Sequence, residues 1–248
     1  TAPLLERFSV SGMPMARGAN VKRRETDVRA VIFANGTFDD AREVQARIRD
    51  DDLIVAVNGG TRHAWEAGFD PWVVVGDLDS LTEQEAERLH RTDVELVAFP
   101  PRKDQTDLEL ALHHVLSKGI EEIVILAALG GRLDQTVANV LLLTLPELAD
   151  CDARLLHGNQ EAFIIREAAR ISGRPGDTVS LIPVGGDALG VTTAGLDYAL
   201  DDEILSFGPA RGVSNVLEKS PANVCVRQGL LLCVVTHHAE TQDEEHVS

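Results

Sequence analysis

The sequence predicts an α/β fold in which a parallel sheet flanked by helices (Rossmann-like) is followed by a C-terminal antiparallel β-sandwich domain. Two observations lead to this prediction. From Val28 to about Glu167, apolar runs rich in β-branched residues alternate with stretches of helical period. After about Ser172 the helical period disappears, and short apolar runs are separated by Gly, Pro, Asn and Asp.

The first part of the chain alternates predicted strands with predicted helices. The strands are VRAVIFA, LIVAV, WVVVGD, VELVAF, EIVILAAL and ARLLH. The helical stretches are FDDAREVQARIRD, TRHAWEAG, LTEQEAERLH, TDLELALHHVLSKG and LDQTVANVLLLTLPEL. Capping-box spacing, Thr82 with Glu85 and Thr106 with Glu109, predicts where two of these helices begin. Strands that are apolar on both faces and separated by helices are typical of a parallel sheet covered on both sides.

The second part is predicted to contain only strands. Its apolar runs are GDTVSLIPVG, GVTTAGLDYAL, EILSFG and NVCVRQGLLLCVVTH. Short strands with frequent turn residues indicate a small antiparallel sandwich or barrel, with SGRPGD as the junction. We therefore predict a lead-in over residues 1–27, an α/β domain over 28–171, a β-sandwich domain over 172–238 and an acidic tail over 239–248.

Charge and composition exclude several classes of partner. The net charge of −17 disfavours nucleic acid and anionic lipid as main partners. No apolar run approaches the roughly 20 residues that a membrane span requires. The N-terminal segment lacks the apolar core of a secretory signal. The three cysteines form no CxxC pair, and their odd number favours a reducing, cytoplasmic location.

Glycine, polar and acidic residues follow the ends of several predicted strands. In a parallel sheet the carboxyl ends of the strands share one edge, where ligands bind, so these segments are expected to converge. The segments are Asn58-Gly59-Gly60, Gly76-Asp77-Leu78-Asp79-Ser80, Arg102-Lys103-Asp104-Gln105-Thr106-Asp107 and Gly130-Gly131-Arg132-Leu133-Asp134-Gln135. One such segment alone is usually a turn or a helix cap. Their recurrence after successive strands favours a site.

Two carboxylates one residue apart, Asp77 and Asp79, suggest a bound cation. In strand geometry both side chains point to one side, where they repel each other unless a cation intervenes. Mg²⁺ prefers one or two carboxylates together with phosphate oxygens and water. Asp107 and Asp134 arrive from neighbouring loops and could complete or support such a site. Positive charge for an anionic ligand is supplied by three basic residues, Arg102, Lys103 and Arg132.

These segments resemble the signature of a known family. GDLDS at 76–80, KDQTDLELAL at 103–112, LGGRLDQTVAN at 129–139 and RGVSN at 211–215 are similar, in order and spacing, to the signature segments of thiamine pyrophosphokinases. The resemblance covers roughly Val28 to Val235. It implies an α/β catalytic domain, a β-sandwich domain and a homodimer with the active site shared between subunits. It also implies transfer of a diphosphoryl group from ATP to the hydroxyethyl oxygen of thiamine, with release of AMP.

The resemblance assigns roles to individual residues. Asp77, Asp79 and Asp107 are expected to bind Mg²⁺, and Asp134 joins them as a catalytic residue. Ser214 and Asn215 are expected to bind thiamine. The residues expected to contact the nucleotide are Asn58, Gly59, Lys103, Thr106, Gly131 and Arg132. Either Asp107 or Asp134 is a candidate proton acceptor, and Tyr198 is a candidate for stacking against the thiamine rings.

One position departs from the family pattern and keeps alternatives open. Members commonly read DGG where this chain has Asn58-Gly59-Gly60, so an oxygen ligand is retained but a charge is lost. One alternative is a pyrophosphokinase for another small primary alcohol, such as a pterin. Another is a non-catalytic protein that binds nucleotide or thiamine. The RGVSN segment favours thiamine, and the retained aspartates favour catalysis.

Overall fold

In the computed structural model the described residues are 28–38, 40–76, 81–92, 94–98 and 104–239. The predicted lead-in, most of the acidic tail, and the site residues Asp77, Asp79, Arg102 and Lys103 lie outside these ranges. The described residues form two compact units, which divide between Phe163 and Ile164. The boundary predicted from the sequence stood at 171/172. No helix of the described chain is long and apolar enough to cross a membrane.

The first unit is a mainly parallel sheet flanked by helices. Its strands are β1 (Arg29–Phe33), β2 (Leu53–Val57), β3 (Val73–Gly76), β4 (Glu95–Ala98), β5 (Glu122–Leu126), β6 (Asp152–His157) and β7 (Gln160–Ile165), the last of which runs past the division. Its helices are α1 (Ala41–Gln45), α2 (Gly60–Glu66), α3 (Glu83–His90), α4 (Asp107–Ser117) and α5 (Leu133–Leu142), followed by a 3₁₀ turn, Pro146–Leu148.

The strand order is β4-β3-β2-β1-β5-β6-β7. All pairs from β4 to β6 are parallel, and the β6–β7 pair is an antiparallel hairpin. Because the chain moves outward from β1 to β4 and then returns to place β5 on the other side of β1, the strand order reverses between β1 and β5. Such a reversal leaves a crevice beyond the carboxyl ends of the strands, where ligands bind in sheets of this kind.

The predicted apolar runs form the buried centre of this sheet. Every residue of β1 is buried, which explains why its sequence does not alternate between apolar and polar residues. Val31 and Phe33 pack with Val44 of α1 and Ala64 of α2. The edge strand β4 is less buried and alternates in exposure. The helix starts were also predicted correctly: Thr82 and Glu85 form a reciprocal capping box, and the Thr106 hydroxyl accepts from the Glu109 N–H.

The second unit is an antiparallel sheet. Its strands are β8 (Ala168–Ile171), β9 (Thr178–Ala194), β10 (Glu203–Leu205), β11 (Asn215–Val216), β12 (Ala222–Cys225) and β13 (Gln228–Thr236). The long strand β9 is central and pairs with β10, β11, β12 and β13. The predicted absence of helices after Ser172 is confirmed for the described residues 172–239.

Several details of the strand prediction were wrong. The run NVCVRQGLLLCVVTH was predicted as one strand and forms parts of two, β12 and β13. The runs GDTVSLIPVG and GVTTAGLDYAL were predicted as separate strands, but the structure joins them in β9, since Gly185 and Gly186 take positive φ within the strand instead of ending it. A register shift in β13 lies opposite this irregularity. Strands β7 and β8 were also missed, because their polar residues weaken the apolar run that marks a strand.

Candidate active site

The loops after β1, β2 and β5 contact one another at the carboxyl edge of the sheet. The Gly36 N–H donates to the Ala127 carbonyl at 2.6 Å, and the Thr37 N–H donates to the Leu129 carbonyl at 2.7 Å. These bonds join the β1 and β5 loops where the strand order reverses. The β1 loop was not among the predicted site segments, although Asn35-Gly36 directly after a buried strand is a turn signal that identifies it.

A histidine fixes the β1 loop from the side of α2. The His63 Nε2 lies 3.2 Å from the Gly36 carbonyl oxygen, and its ring stacks on Phe38 with centroids 4.8 Å apart. Because the carbonyl can only accept, Nε2 is the protonated nitrogen. Burial lowers the pKa of His63 below its usual value, so the ring is neutral near pH 7.

Asn58 joins the β2 loop to helix α4. Its Nδ2 donates to the Asp107 Oδ2 at 2.5 Å. Its backbone has φ of +48°, a left-handed conformation that Asn tolerates better than most residues. Its carbonyl accepts from the Thr61 hydroxyl at 2.8 Å, within a buried turn. The predicted residues Asn58 and Asp107, which are 49 positions apart in the sequence, are therefore in direct contact.

The side-chain oxygen of Asn58 faces Gly76, the last residue of β3. Its Oδ1 is buried and accepts no hydrogen bond within the described part of the chain. A Cβ placed on Gly76 would lie only 1.7 Å from this oxygen, so Gly76 must lack a side chain for Asn58 to take this position. Gly59 has the same constraint, because its Cβ would lie 2.1 Å from the Asn35 Oδ1. The predicted glycines therefore allow close loop packing.

Helix α4 presents Asp107 at its first turn. Thr106 is the N-cap residue, and its hydroxyl accepts from the Glu109 N–H at 3.2 Å. The buried residues of this helix, Leu108, Ala111 and Leu112 among them, fix its orientation against the sheet. Thr106 thus has a structural role that places Asp107 beside Asn58. Both residues are partly buried, which suits a site that ligands can reach.

Arg132 and Asp134 form an exposed pair at the start of α5. The Arg132 Nη2 contacts the Asp134 Oδ2 at 2.5 Å, and 72% and 65% of the two side chains are exposed. This hydrogen bond lowers the pKa of Asp134 below its usual value, which makes it a weaker proton acceptor. Gly131, also predicted, has a φ of +70° in the exposed loop before the helix. Asn139 anchors α5 by donating to the Ala128 carbonyl at 2.7 Å.

The described carboxylates do not form a metal centre by themselves. No group of three or more His, Cys, Asp or Glu side chains in the described ranges is arranged to hold a metal ion. The remaining predicted ligands, Asp77 and Asp79, and the predicted Lys103 lie outside these ranges. What the structure does provide is the Asp107 carboxylate and the buried Asn58 Oδ1. Hard oxygen atoms of this kind suit Mg²⁺.

In the second unit, the RGVSN segment packs against β9. The Leu181 N–H donates to the Gly212 carbonyl at 2.8 Å, and Arg211 pairs with Glu203 of β10 at 2.6 Å. Ser214 is exposed, has φ of +62°, and its N–H donates to the Ser180 hydroxyl at 3.0 Å. The segment therefore presents the Ser214 side chain on the surface of the sheet.

Asn215 holds the backbone of Tyr198. Its Oδ1 accepts from the Tyr198 N–H at 3.0 Å, and its Nδ2 donates to the Tyr198 carbonyl at 2.8 Å. The same Oδ1 accepts from the Val216 N–H at 2.8 Å. Asn215 is only 8% exposed, whereas Tyr198 is 70% exposed. The buried amide thus fixes the loop that displays the aromatic ring.

Two family models match the chain, in the order of the two units. The model described as thiamin pyrophosphokinase, catalytic domain, matches residues 44–154. The model described as thiamin pyrophosphokinase, vitamin B1 binding domain, matches residues 165–231. The gap between the matches, residues 155–164, contains the division between the two units.

Individual relatives agree with these matches. Thiamine pyrophosphokinase of Bacillus subtilis (strain 168) is 30% identical over 184 residues, which are 73% of this chain and 86% of that protein. Thiamine pyrophosphokinase 1 of Oryza sativa subsp. japonica is 28% identical over 167 residues, which are 63% of this chain and 62% of that protein.

Solved structures show the same fold. The crystal structure of thiamine pyrophosphokinase from Bacillus subtilis has a TM-score of 0.76 at 26% identity, covering 86% of this chain and 100% of that chain. The crystal structure of yeast thiamin pyrophosphokinase has a TM-score of 0.70 at 18% identity, covering 86% of this chain and 87% of that chain. At the lower identity the likeness concerns the fold alone.

Proposed function

The chain belongs to the thiamine pyrophosphokinase family, and we propose that it transfers the diphosphoryl group of ATP to the hydroxyethyl oxygen of thiamine, giving thiamine diphosphate and AMP. The observation that carries this proposal is the match of both family models, one to each unit. The contact between Asn58 and Asp107 supports it, since it brings the segment after β2 and one signature segment together at the edge where a nucleotide would bind. We also propose that the first unit is Rossmann-like and that the second unit is a β-sandwich.

We propose Mg²⁺ as the cofactor, held by Asp77, Asp79 and Asp107. The Asp107 carboxylate, and the buried Asn58 Oδ1 that accepts no bond from the described residues, suit a hard cation. When bound, Mg²⁺ neutralises phosphate charge and orients the triphosphate. The family resemblance gives Lys103 and Arg132 the rest of this neutralisation. Gly59, Thr106 and Gly131 would bring backbone groups close to the nucleotide.

The proton of the thiamine hydroxyl needs an acceptor within hydrogen-bond reach. Of the two candidates, Asp134 is already bonded to Arg132, and this bond lowers its pKa. Asp107 is partly buried and contacts Asn58, one of the residues expected to contact the nucleotide. We propose Asp107 as the acceptor, with Asp134 orienting Arg132 towards phosphate.

The thiamine-binding surface is proposed to include Ser214 and Tyr198. Ser214 is exposed, and Tyr198 offers a ring face on which a cationic thiazolium can stack. Asn215 contributes by holding Tyr198, because its amide is already occupied by backbone groups. This proposal changes the expected role of Asn215 from direct contact to support.

A homodimer that shares the active site between subunits is also proposed. Each unit exposes apolar side chains that a partner could cover. On α5 they are Leu133, Val137 and Leu141, which recur at helical spacing, and the second unit exposes Ile204, Phe207 and Val213. Light scattering of the purified chain tests the oligomeric state. The odd number of cysteines supports the proposed cytoplasmic location.

The test is AMP release from ATP and Mg²⁺ with thiamine as acceptor, compared with a pterin alcohol. We expect AMP and thiamine diphosphate in equal amounts with thiamine only. Asp79→Asn is expected to lower turnover by about 10²–10³-fold, the usual effect of losing one electrostatic contact. Nucleotide binding without AMP release by the unaltered chain would instead identify a non-catalytic protein.

A further inference from the structure

The contact between Asn58 and Asp107 pairs a neutral hydrogen-bond donor with a carboxylate. A carboxylate ion can only accept hydrogen bonds, so the Asn58 atom that faces Asp107 at 2.5 Å is the NH₂ group. An aspartate at position 58, the residue common in the family pattern, would instead bring two carboxylates together. Such a pair repels unless a cation separates the two groups. In this chain the amide donates directly to the carboxylate, and no cation is needed between them.

We propose that Asn58 is a positioning residue that holds the Asp107 carboxylate in place before any metal ion binds. This inference rests on the proposed function and deepens it. The backbone supports the role, because the left-handed φ of +48° and the Thr61 contact fix the direction of the Asn58 side chain. Gly76 supports it from the other side, since its missing Cβ leaves the room that the Asn58 amide occupies.

The orientation of the amide adds a consequence. With Nδ2 committed to Asp107, Oδ1 must point away from it, towards Gly76. Asn58 therefore offers a cation bound beside Asp107 a neutral oxygen, where an aspartate would offer a second negative charge. A site with one charge fewer should bind divalent cations less tightly in the absence of nucleotide.

Three variants separate positioning from other roles. Asn58→Gly removes the side chain and keeps the left-handed backbone, because glycine adopts positive φ freely. Asn58→Asp keeps the shape and replaces the donor by a second carboxylate. The double variant Asn58→Asp/Asp107→Asn restores a hydrogen bond with donor and acceptor exchanged. Gln105→Ala is the control, since it removes an exposed amide–carboxylate bond to Glu109 in the same turn of α4.

Metal binding is measured without turnover, from the concentration of free Mn²⁺ in solutions of each variant and from melting temperature with and without Mg²⁺. For Asn58→Asp we expect tighter Mn²⁺ binding than in the unaltered chain. We also expect a lower melting temperature without metal and a larger rise on adding Mg²⁺. The double variant should melt like the unaltered chain in metal-free buffer. Equal melting and equal Mn²⁺ binding for the unaltered chain and Asn58→Asp would overturn the proposal.

The second measurement is the turnover of each variant. We expect Asn58→Gly to lower kcat by about 10- to 100-fold with an unchanged thiamine KM, since a displaced catalytic group affects the rate more than substrate binding. Gln105→Ala should have normal kcat. An unchanged kcat in Asn58→Gly would refute positioning. If the unaltered chain releases no AMP with thiamine, the proposed function fails, whereas the Mn²⁺ and melting measurements still decide the role of Asn58.

Discussion

Replacing Asn215 by alanine tests how the second unit presents its aromatic residue. The substitution removes two hydrogen bonds to the Tyr198 backbone and one to the Val216 N–H, all between 2.8 and 3.0 Å. A hydrogen bond contributes a net value of about 0.5–1.5 kcal/mol, and water can reach part of this exposed loop. We therefore expect the free energy of unfolding to fall by about 1–3 kcal/mol, which urea unfolding measures.

The functional effect should fall on thiamine alone. With the Tyr198 loop released, we expect the thiamine KM to rise by about tenfold or more, the equivalent of one lost interaction of about 1.4 kcal/mol. The KM for ATP should not change, because Asn215 and Tyr198 belong to the second unit and the nucleotide residues to the first. Steady-state AMP release, measured at varied thiamine and at varied ATP concentrations, determines the two KM values separately.

Two further variants control this experiment. Asn215→Asp keeps the oxygen that accepts from Tyr198 and Val216 but loses the donor, so its effect should lie between those of alanine and asparagine. Tyr198→Phe keeps the ring and should retain thiamine binding, whereas Tyr198→Ala should lose it. If Asn215→Ala loosens the loop, as shown by faster amide exchange at Tyr198, and thiamine KM stays constant, the stacking role of Tyr198 is refuted.

Two predictions concern the first unit. Gly76→Ala places a Cβ 1.7 Å from the Asn58 Oδ1 in a backbone with φ of +149°. We expect turnover to fall by about 100-fold, as for other small displacements at active sites. Normal turnover would mean that Asn58 can move without loss of activity. The pKa of Glu85 is lowered to about 2 by its hydrogen bonds to the Arg62 guanidinium and the Thr82 N–H. Because this folded-state pKa lies below the ordinary value of 4.5, the stability that Glu85 contributes is complete above that value and is lost as pH falls towards 2. Urea unfolding between about pH 5.5 and pH 2.5 should show a smaller acid loss in Glu85→Gln, and equal pH dependence would contradict the assignment.

Local patterns in the sequence were sufficient to predict the order of elements in the first unit from β1 to β6. Strands buried on both faces have continuous apolar runs, and the Thr82/Glu85 spacing identified a helix start that the structure confirms. Strand β9 was predicted less well, because Gly185-Gly186 is a turn signal locally and only pairing with β13 and β10 keeps the chain extended. Its length is therefore decided by neighbours that lie far away in the sequence.

At the site, too, local sequence patterns predicted some features, whereas others are decided by residues far away in the sequence. The residue types of the signature segments could be identified from their order, but the partners of each side chain could not. Asn215 was expected to contact thiamine, and its amide bonds the Tyr198 backbone. Asp134 was expected in the metal–phosphate cluster together with Arg132, and the structure shows a direct bond between these two side chains. Hydrogen-bond partners depend on loop geometry, which the spacing of residues in a sequence does not specify.

The contacts at the edge of the first sheet show why a single residue there can affect the geometry of the whole site. Gly76 ends β3, Asn58 follows β2 and Asp107 begins α4, yet the room left by the first permits the amide of the second, which in turn holds the carboxylate of the third. Each contact joins two different segments of the chain, so no segment keeps this geometry alone. A change at any of the three positions should therefore affect the other two, and double-mutant cycles between them should be non-additive.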